Sequence, residues 1–298
     1  MIRPAGFGFN TETAVNNYFQ SAPRLTREQL QQAALAEFDN MVQILRRREV
    51  KVLVTEDTAI PPRPDAVFPN NWLSTSPEGK LFVFPMFAAS RRAEKREDIL
   101  QELNRTFIVK ELQDWSEYEA EGRFLEGTGS MVTDHDHRLI YAAISERTNL
   151  SVLEKFAATN GYQAIVFLAT DKENRPVYHT NVMMALGQQF CVICEEAIEE
   201  EWELIAVRQL LESTGHSVIP ITREQMGCFA GNMLEVKNSR NESLLVLSQS
   251  AFDALRRDQK EQLETCTTLL PIPVPVIEQA GGGSVRCMMT EIFLERNT

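Results

Sequence analysis

The stretch RLIYAAISERTNLSVLEKFAATNGYQAIVFLA, residues 138–169, reads as strand, helix, strand. Its two ends, RLIYAAI (138–144) and QAIVFLA (163–169), are short apolar runs with β-branched and aromatic residues, whereas 149–159 spaces its apolar residues as one helix face does. The alternation continues in both directions. KVLVTE (51–56), LFVFPMF (81–87), QQFCVICEE (188–196), LLVLSQ (244–249) and EIFLER (291–296) read as strands. Helical patterns fall at 26–47, with Thr26 as N-cap, and at 91–104, 197–213 and 250–264. Turn residues in SPEG and DHDH, set between apolar runs, predict hairpins. The order predicts an α/β fold in which a strand–strand–helix–strand unit recurs about every 50–60 residues, without a literal sequence repeat. No Pro/Gly/Ser linker or break in composition divides the chain, so residues 1–298 are expected to form a single domain.

Composition narrows the function classes. The 298 residues include 42 acidic and 30 basic side chains, a net charge of −12. Such a surface repels phosphate backbones and anionic lipid, which argues against nucleic-acid or membrane partners and leaves small cationic or zwitterionic molecules admissible. The first residues carry one Arg and no apolar h-region, and no apolar run approaches a membrane span. Five irregularly spaced cysteines do not form a secreted disulfide framework, so a cytoplasmic protein is expected; a homo-oligomer is compatible with everything here.

The four histidines separate by context. His135 and His137 lie in the DHDHR turn, where alternating side chains diverge, and His216 follows a glycine that ends a helix. His179, in PVYHTNVMMALG, occupies a polar break just before an apolar run. Cys191 and Cys194 form a CxxC within an apolar strand, without further zinc ligands, and read as buried thiols. Cys287 differs: GGGSVR delivers it on a glycine bend that a ligand can approach closely, and neighbouring Arg286 could favour the thiolate. The bend lacks the Lys-Ser/Thr of a phosphate loop. PDAVFPNNW contributes Asp65, Asn70 and Asn71, and LEGTGSMV contributes Glu126.

In this order the segments resemble the guanidino-group-modifying enzymes with the five-bladed pentein α/β-propeller. PDAVFPNNW is similar to that family's first substrate-binding stretch, ASRRAE (89–94) to its arginine-bearing helix start, LEGTGSMV to its (D/E)GGD element, SERTN (145–149) to its SxRTN, HTN (179–181) to the catalytic-histidine segment and GGGSVRC to the terminal nucleophile. The resemblance implies a propeller of pseudo-repeated ββαβ units. It makes Cys287 the nucleophile, His179 the acid–base and Glu126 the group that holds it. Asp65, Asn70, Asn71, Arg91, Arg147 and Asn181 become substrate-binding residues, Arg147 the better candidate for gripping a carboxylate. No metal or organic cofactor is implied. Within the family the chain is most similar to the citrulline-utilisation hydrolases, also called amidinotransferase-like or arginine-deiminase-related proteins.

The departures point to the substrate. Deiminases carry carboxylates at the positions of Asn71 and Asn181, and Thr128 and Gly129 replace Gly and Asp of the acidic element. Paired carboxylates match a guanidinium, whereas an amide offers one donor and one acceptor, as a neutral ureido group requires. The expected reaction is hydrolysis of citrulline to ornithine, ammonia and carbon dioxide through a covalent Cys287 intermediate. An arginine-consuming deiminase, dihydrolase or amidinotransferase of the same fold is the alternative, and a catalytically inactive binding module is a further one.

Overall fold

The computed structural model describes residues 1–297. Four of its five sheets repeat one plan. They are β3 (Leu73–Thr75), β4 (Lys80–Val83), β5 (Glu111–Asp114); β6 (Val132–Asp134), β7 (Leu139–Ala143), β8 (Gln163–Phe167); β9 (Met184–Leu186), β10 (Phe190–Ile193), β11 (Ser217–Pro220); and β12 (Leu234–Lys237), β13 (Ser243–Ser248), β14 (Thr268–Ile272). In each, the first two strands form an antiparallel hairpin and the third returns parallel to the middle strand. A parallel return needs a crossover, and the helices Glu97–Thr106, Leu150–Asn160, Glu201–Ser213 and Arg257–Glu264 supply it.

The fifth sheet is a parallel pair, β1 (Ile2–Arg3) with β2 (Thr55–Glu56), joined through the long helix Arg27–Arg47. Thr26 caps that helix in a capping box with Gln29, and Leu30, Ala34, Phe38, Met41 and Leu45 bury one face of it. The molecule is the expected pentein α/β-propeller, with four complete ββαβ units and a fifth reduced to βαβ. Middle strands are walled in on both faces: every residue of β7 and of β10 is buried, which is why they read as unbroken apolar runs.

Short turns precede the first strand of each complete unit and meet as a ring. Asn70 in the first donates to the Thr128 hydroxyl in the second (3.3 Å). The Thr180 hydroxyl in the third donates to the Ser130 carbonyl (2.6 Å), and Asn232 in the fourth donates to the Asn181 carbonyl (2.8 Å). The Arg286 N–H beside Cys287 donates to Asn232 Oδ1 (3.2 Å), and the Thr290 hydroxyl reaches back to the Leu73 carbonyl (3.5 Å). These bonds tie one unit to the next around the axis, while Asn70 Oδ1 stays buried without a partner.

Some expected elements differ. EIFLER (291–296) forms no strand: Phe293 N–H goes to the Thr75 hydroxyl and Glu295 C=O to Ile108 N–H, with a single bridge between Phe107 and Arg296. The expected helices 91–104 and 250–264 are each two pieces, Ala89–Arg92 with Glu97–Thr106 and Gln249–Ala254 with Arg257–Glu264, and of KVLVTE (51–56) only Thr55–Glu56 is strand. Among the described residues no helix is long and apolar enough to cross a membrane.

Candidate active site

The ring places the chemistry. A small cavity is lined by Thr13, Asn17, Asp65, Asn71, Arg91, Arg147, Tyr178, His179, Gly281–Gly283 and Cys287, so the thiol near the C-terminus and the imidazole more than a hundred residues upstream face the same space. A separate, larger cavity, lined by Ser76, His135, Lys237 and Glu291 among others, holds neither.

His179 ends an extended segment and is the N-cap of the turn Thr180–Val182. Its Nε2 lies 2.7 Å from Glu126 Oε2, and the other oxygen of Glu126 accepts the Phe87 N–H at 2.9 Å. Glu126 and His179 are both buried. Burial opposes ionisation of Glu126, but the Arg147 guanidinium, 3.5 Å away, together with His179 and Arg91, holds the carboxyl down at about 2. Burial also holds His179 down at about 4, with the nearby guanidiniums reinforcing it against Glu126. The resting pair is therefore a carboxylate and a neutral imidazole. Since the carboxylate only accepts, Nε2 carries the ring proton and Nδ1 keeps its lone pair.

Gly129 makes this packing feasible. A Cβ there would stand 2.4 Å from Asn71 Nδ2 and 2.8 Å from the His179 ring, so no aspartate fits at this position. The Asn71 amide is tied at one end only. Its Oδ1 accepts from Arg91 Nη1 at 2.7 Å, while Nδ2 is buried without a partner. Because arginine can only donate, the amide orientation is fixed and the free end is a donor.

Arg91 is held by Glu94 through Nε and Nη2 at 2.9 and 2.8 Å and by the Phe68 carbonyl, so its expected substrate carboxylate would compete with a bidentate ion pair. Arg147 donates to Asn16 Oδ1 and the Thr13 carbonyl and lies over the Tyr178 ring at 4.9 Å. Asp65 accepts from Asn10 at 2.7 Å and leaves Oδ1 unpartnered; burial pushes its carboxyl upward, with Arg91 opposing. Asn70 and Glu126 stand behind the lining, and Asn181 points its Nδ2 at the sulfur of Cys287, 3.5 Å away.

Arg286 does not act as expected. Its guanidinium donates to the Met289 carbonyl (3.1 Å), pairs with Glu291 (3.5 Å) and faces the larger cavity, away from the thiol. The turn that exposes Cys287 to one cavity turns its neighbour to the other. The histidines of the DHDHR turn are engaged locally, His137 with Asp134 (2.8 Å) and His135 with the Tyr162 hydroxyl (2.7 Å). His216 follows the helix-ending Gly215 and contacts the Thr214 hydroxyl (2.9 Å). Cys191 and Cys194 are buried free thiols, and burial pushes both upward.

Several residues of the site escaped the sequence reading, Thr13 and Asn17 of the lining among them, and two matter most. Tyr178 precedes His179, lines the cavity and donates its hydroxyl to the Gly282 carbonyl at 2.6 Å. Asn232, in FAGNMLE, is fully buried with Nδ2 3.3 Å from the Cys287 sulfur. The only local signal for Asn232 was a Gly-Asn pair before an apolar run, which reads as an ordinary turn.

A family model described as N,N dimethylarginine dimethylhydrolase, eukaryotic, matches residues 3–294. The chain belongs to this family. Its members and structural neighbours are hydrolases of guanidino carbon–nitrogen bonds. No curated protein matches the chain. Among solved structures the chain is similar to apo ArgZ, an arginine dihydrolase from the ornithine–ammonia cycle in cyanobacteria, at 15% identity and a TM-score of 0.73, covering 99% of this chain and 40% of that one. The N-terminal domain of ArgZ bound to product matches at 15% identity and a TM-score of 0.70, over 100% of this chain and 96% of the domain. A dimethylarginine dimethylaminohydrolase adduct with S-methyl-L-thiocitrulline matches at 16% identity and a TM-score of 0.64, over 99% of this chain and 97% of that one. The chain thus spans well under half of full-length ArgZ but nearly all of its N-terminal domain, and these identities establish the shared fold.

Proposed function

We propose that this protein is a cysteine-dependent hydrolase of a ureido carbon, converting citrulline to ornithine, ammonia and carbon dioxide. The observation that carries the reading is the unpartnered Nδ2 of Asn71, an N–H donor on the wall shared by Cys287 and His179. A guanidinium brings only donors to such a wall, and a donor facing donors is unfavourable. A ureido oxygen accepts, and it gains charge when the carbon is attacked.

The chemistry follows from the resting charges. His179 Nδ1 takes the thiol proton, and the Cys287 sulfur adds to the ureido carbon. The oxyanion forms beside Asn71 Nδ2. His179 returns the proton to the departing nitrogen, ammonia leaves and a thiocarbamate remains on Cys287. Water, deprotonated at Nδ1, cleaves the thioester bond to give a carbamate, which releases carbon dioxide from ornithine. Glu126 keeps Nε2 protonated and offsets the imidazolium as it forms. Arg147 is the candidate for the substrate carboxylate, and Arg91 orients Asn71. Asp65, with one free oxygen, suits the amino-acid end.

A second reading has a specific support. ArgZ, whose N-terminal domain shares this fold end to end, is an arginine dihydrolase, and the later half of such a reaction is itself ureido hydrolysis. One assay tests both. Arginine, citrulline, agmatine and carbamoylputrescine are supplied separately, and ammonia is measured with ornithine, citrulline and putrescine, in wild type and Cys287→Ala. One ammonia and one ornithine from citrulline, abolished in the variant, is the expected result. Two ammonias per ornithine from arginine would establish the dihydrolase; arginine turned over with citrulline accumulating would overturn the ureido reading.

A further inference from the structure

We infer that Asn232 is a positioning residue for the Cys287 thiolate, a deepening that rests on the cysteine-nucleophile reading above. Both ends of its amide are fixed by main-chain groups. Oδ1 accepts the Arg286 N–H at 3.2 Å, which leaves Nδ2 to donate to the Asn181 carbonyl at 2.8 Å and to reach the Cys287 sulfur at 3.3 Å. An inverted amide would face a carbonyl with an oxygen, so the donor end must lie toward the sulfur.

The sulfur needs such a donor. A buried thiolate is stabilised by a nearby cation, a helix N-terminus or hydrogen bonds to the charged form. The adjacent guanidinium of Arg286 is turned to Met289 and Glu291. The His179 ring is neutral at rest. The sulfur lies against two amides, with their N–H donors nearer (Asn232 at 3.3 Å, Asn181 at 3.5 Å) than their oxygens (3.7 and 4.0 Å), and of the two Asn232 is the one locked at both ends. Asn232 also ties the nucleophile turn to the backbone that follows His179, so one side chain sets both the charge and the placement of the attacking atom. A purely structural role, closing the ring of turns, is the competing explanation. It requires the Oδ1 contact and the Asn181 contact but is indifferent to the sulfur's protonation.

Alkylation of Cys287 by iodoacetamide as a function of pH separates the two, with modification read on the Cys287 peptide by mass spectrometry so that the exposed Cys228 does not interfere. Asn232→Leu removes the donor from the sulfur without setting a charge beside it. The inflection is expected to rise by about one pH unit or more in this variant, and kcat on the turned-over substrate to fall at least about tenfold while KM stays within about threefold. An inflection that coincides with wild type overturns the inference. If Asn232→Leu does not fold, Asn232→Ala is read the same way; failure of both to fold assigns the residue a structural role and also overturns it. The alkylation arm needs no substrate. A shifted inflection in a protein that turns over no ureido or guanidino compound would therefore sink the proposed function and leave the role of Asn232 standing.

Discussion

The third and fourth ring turns, His179–Met183 and Ala230–Met233, occupy matching places before the first strands of their sheets, and each directs an asparagine amide at the same sulfur. They differ in what else they carry. The third bears the imidazole, held by the Glu126 carboxylate at the head of the second turn, and keeps one face of the ring open to the cavity. The fourth bears glycine and an amide bonded at both ends. Reactive groups need space and a tuned proton, while the groups that hold them need rigidity, and the two turns divide these demands between them.

The largest effect expected from this division is on stability. At Gly231 a Cβ would meet the Val182 carbonyl oxygen at 2.5 Å and Met183 backbone at 2.6 Å, atoms that move only with the third turn itself. Gly231→Ala is expected to lose about 3 kcal/mol in urea denaturation, at the upper end for overpacking. At Gly129 the blocking atoms are side-chain ends, those of Asn71 and His179. Gly129→Ala is expected to cost about 1 kcal/mol or less of stability but about a hundredfold in kcat/KM, because the displaced groups belong to the proposed reacting centre. Equal stability losses in the two variants would erase the distinction between a holding turn and a reacting one.

An acid titration comes next. His179 has an ordinary value of 6.5 and is held at about 4 in the fold by burial. On acidification the unfolded chain takes up this proton first. The contribution of the neutral imidazole is thus fully present above about pH 6.5 and is lost as pH falls toward 4, about 3 kcal/mol in all. Glu126 adds its own loss only below its ordinary carboxyl range, toward 2. Urea denaturation of wild type against His179→Gln between pH 7 and 4 isolates the histidine. Wild type should lose the larger share of stability over that interval; parallel curves would mean that the third turn carries no acid-sensitive group.

How much of this was legible in the sequence depends on residue type more than on position. Middle strands are apolar on both faces, and Leu139–Ala143 and Ser243–Ser248 were read within a residue, as was the helix Arg27–Arg47 with its Thr26 cap, while the readings over Lys80–Val83 and Phe190–Ile193 ran two to four residues long. First strands such as Val132–Asp134 and Met184–Leu186 are three residues long, too short to show an alternation. EIFLER has strand composition, but its backbone partners are taken from the Thr75 side chain and residues near Phe107, a tertiary choice that no local pattern encodes. At the site, His179, Glu126 and Cys287 stood out because few residue types do their chemistry. Asn232 did not, since the residue is equally at home in a turn, and its approach to Cys287 from 55 positions away exists only once the ring closes.

The smallest expected effect concerns the first turn, and it sharpens the contrast between an amide tied at both ends and one tied at a single end. Asn71 spends Oδ1 on Arg91 and keeps Nδ2 free, whereas Asn232 has no free end. Asn71→Asp preserves the contact to Arg91, strengthens it by charge and replaces the free donor with an acceptor. A neutral substrate then loses the N–H aimed at its oxygen, and the developing oxyanion meets a carboxylate. The expected result is a fall of about tenfold or more in kcat/KM for citrulline, about 1.4 kcal/mol of lost transition-state stabilisation, with arginine disfavoured less or even gaining, since a guanidinium pairs with the new charge. The ratio of the two substrates' kcat/KM is the quantity to follow, because a general disturbance of the site lowers both together. A variant in which citrulline and arginine fall by the same factor would show that Asn71 serves only to seat Arg91, and the donor that carries the ureido assignment would have to be sought among the backbone N–H groups of the Cys287 turn.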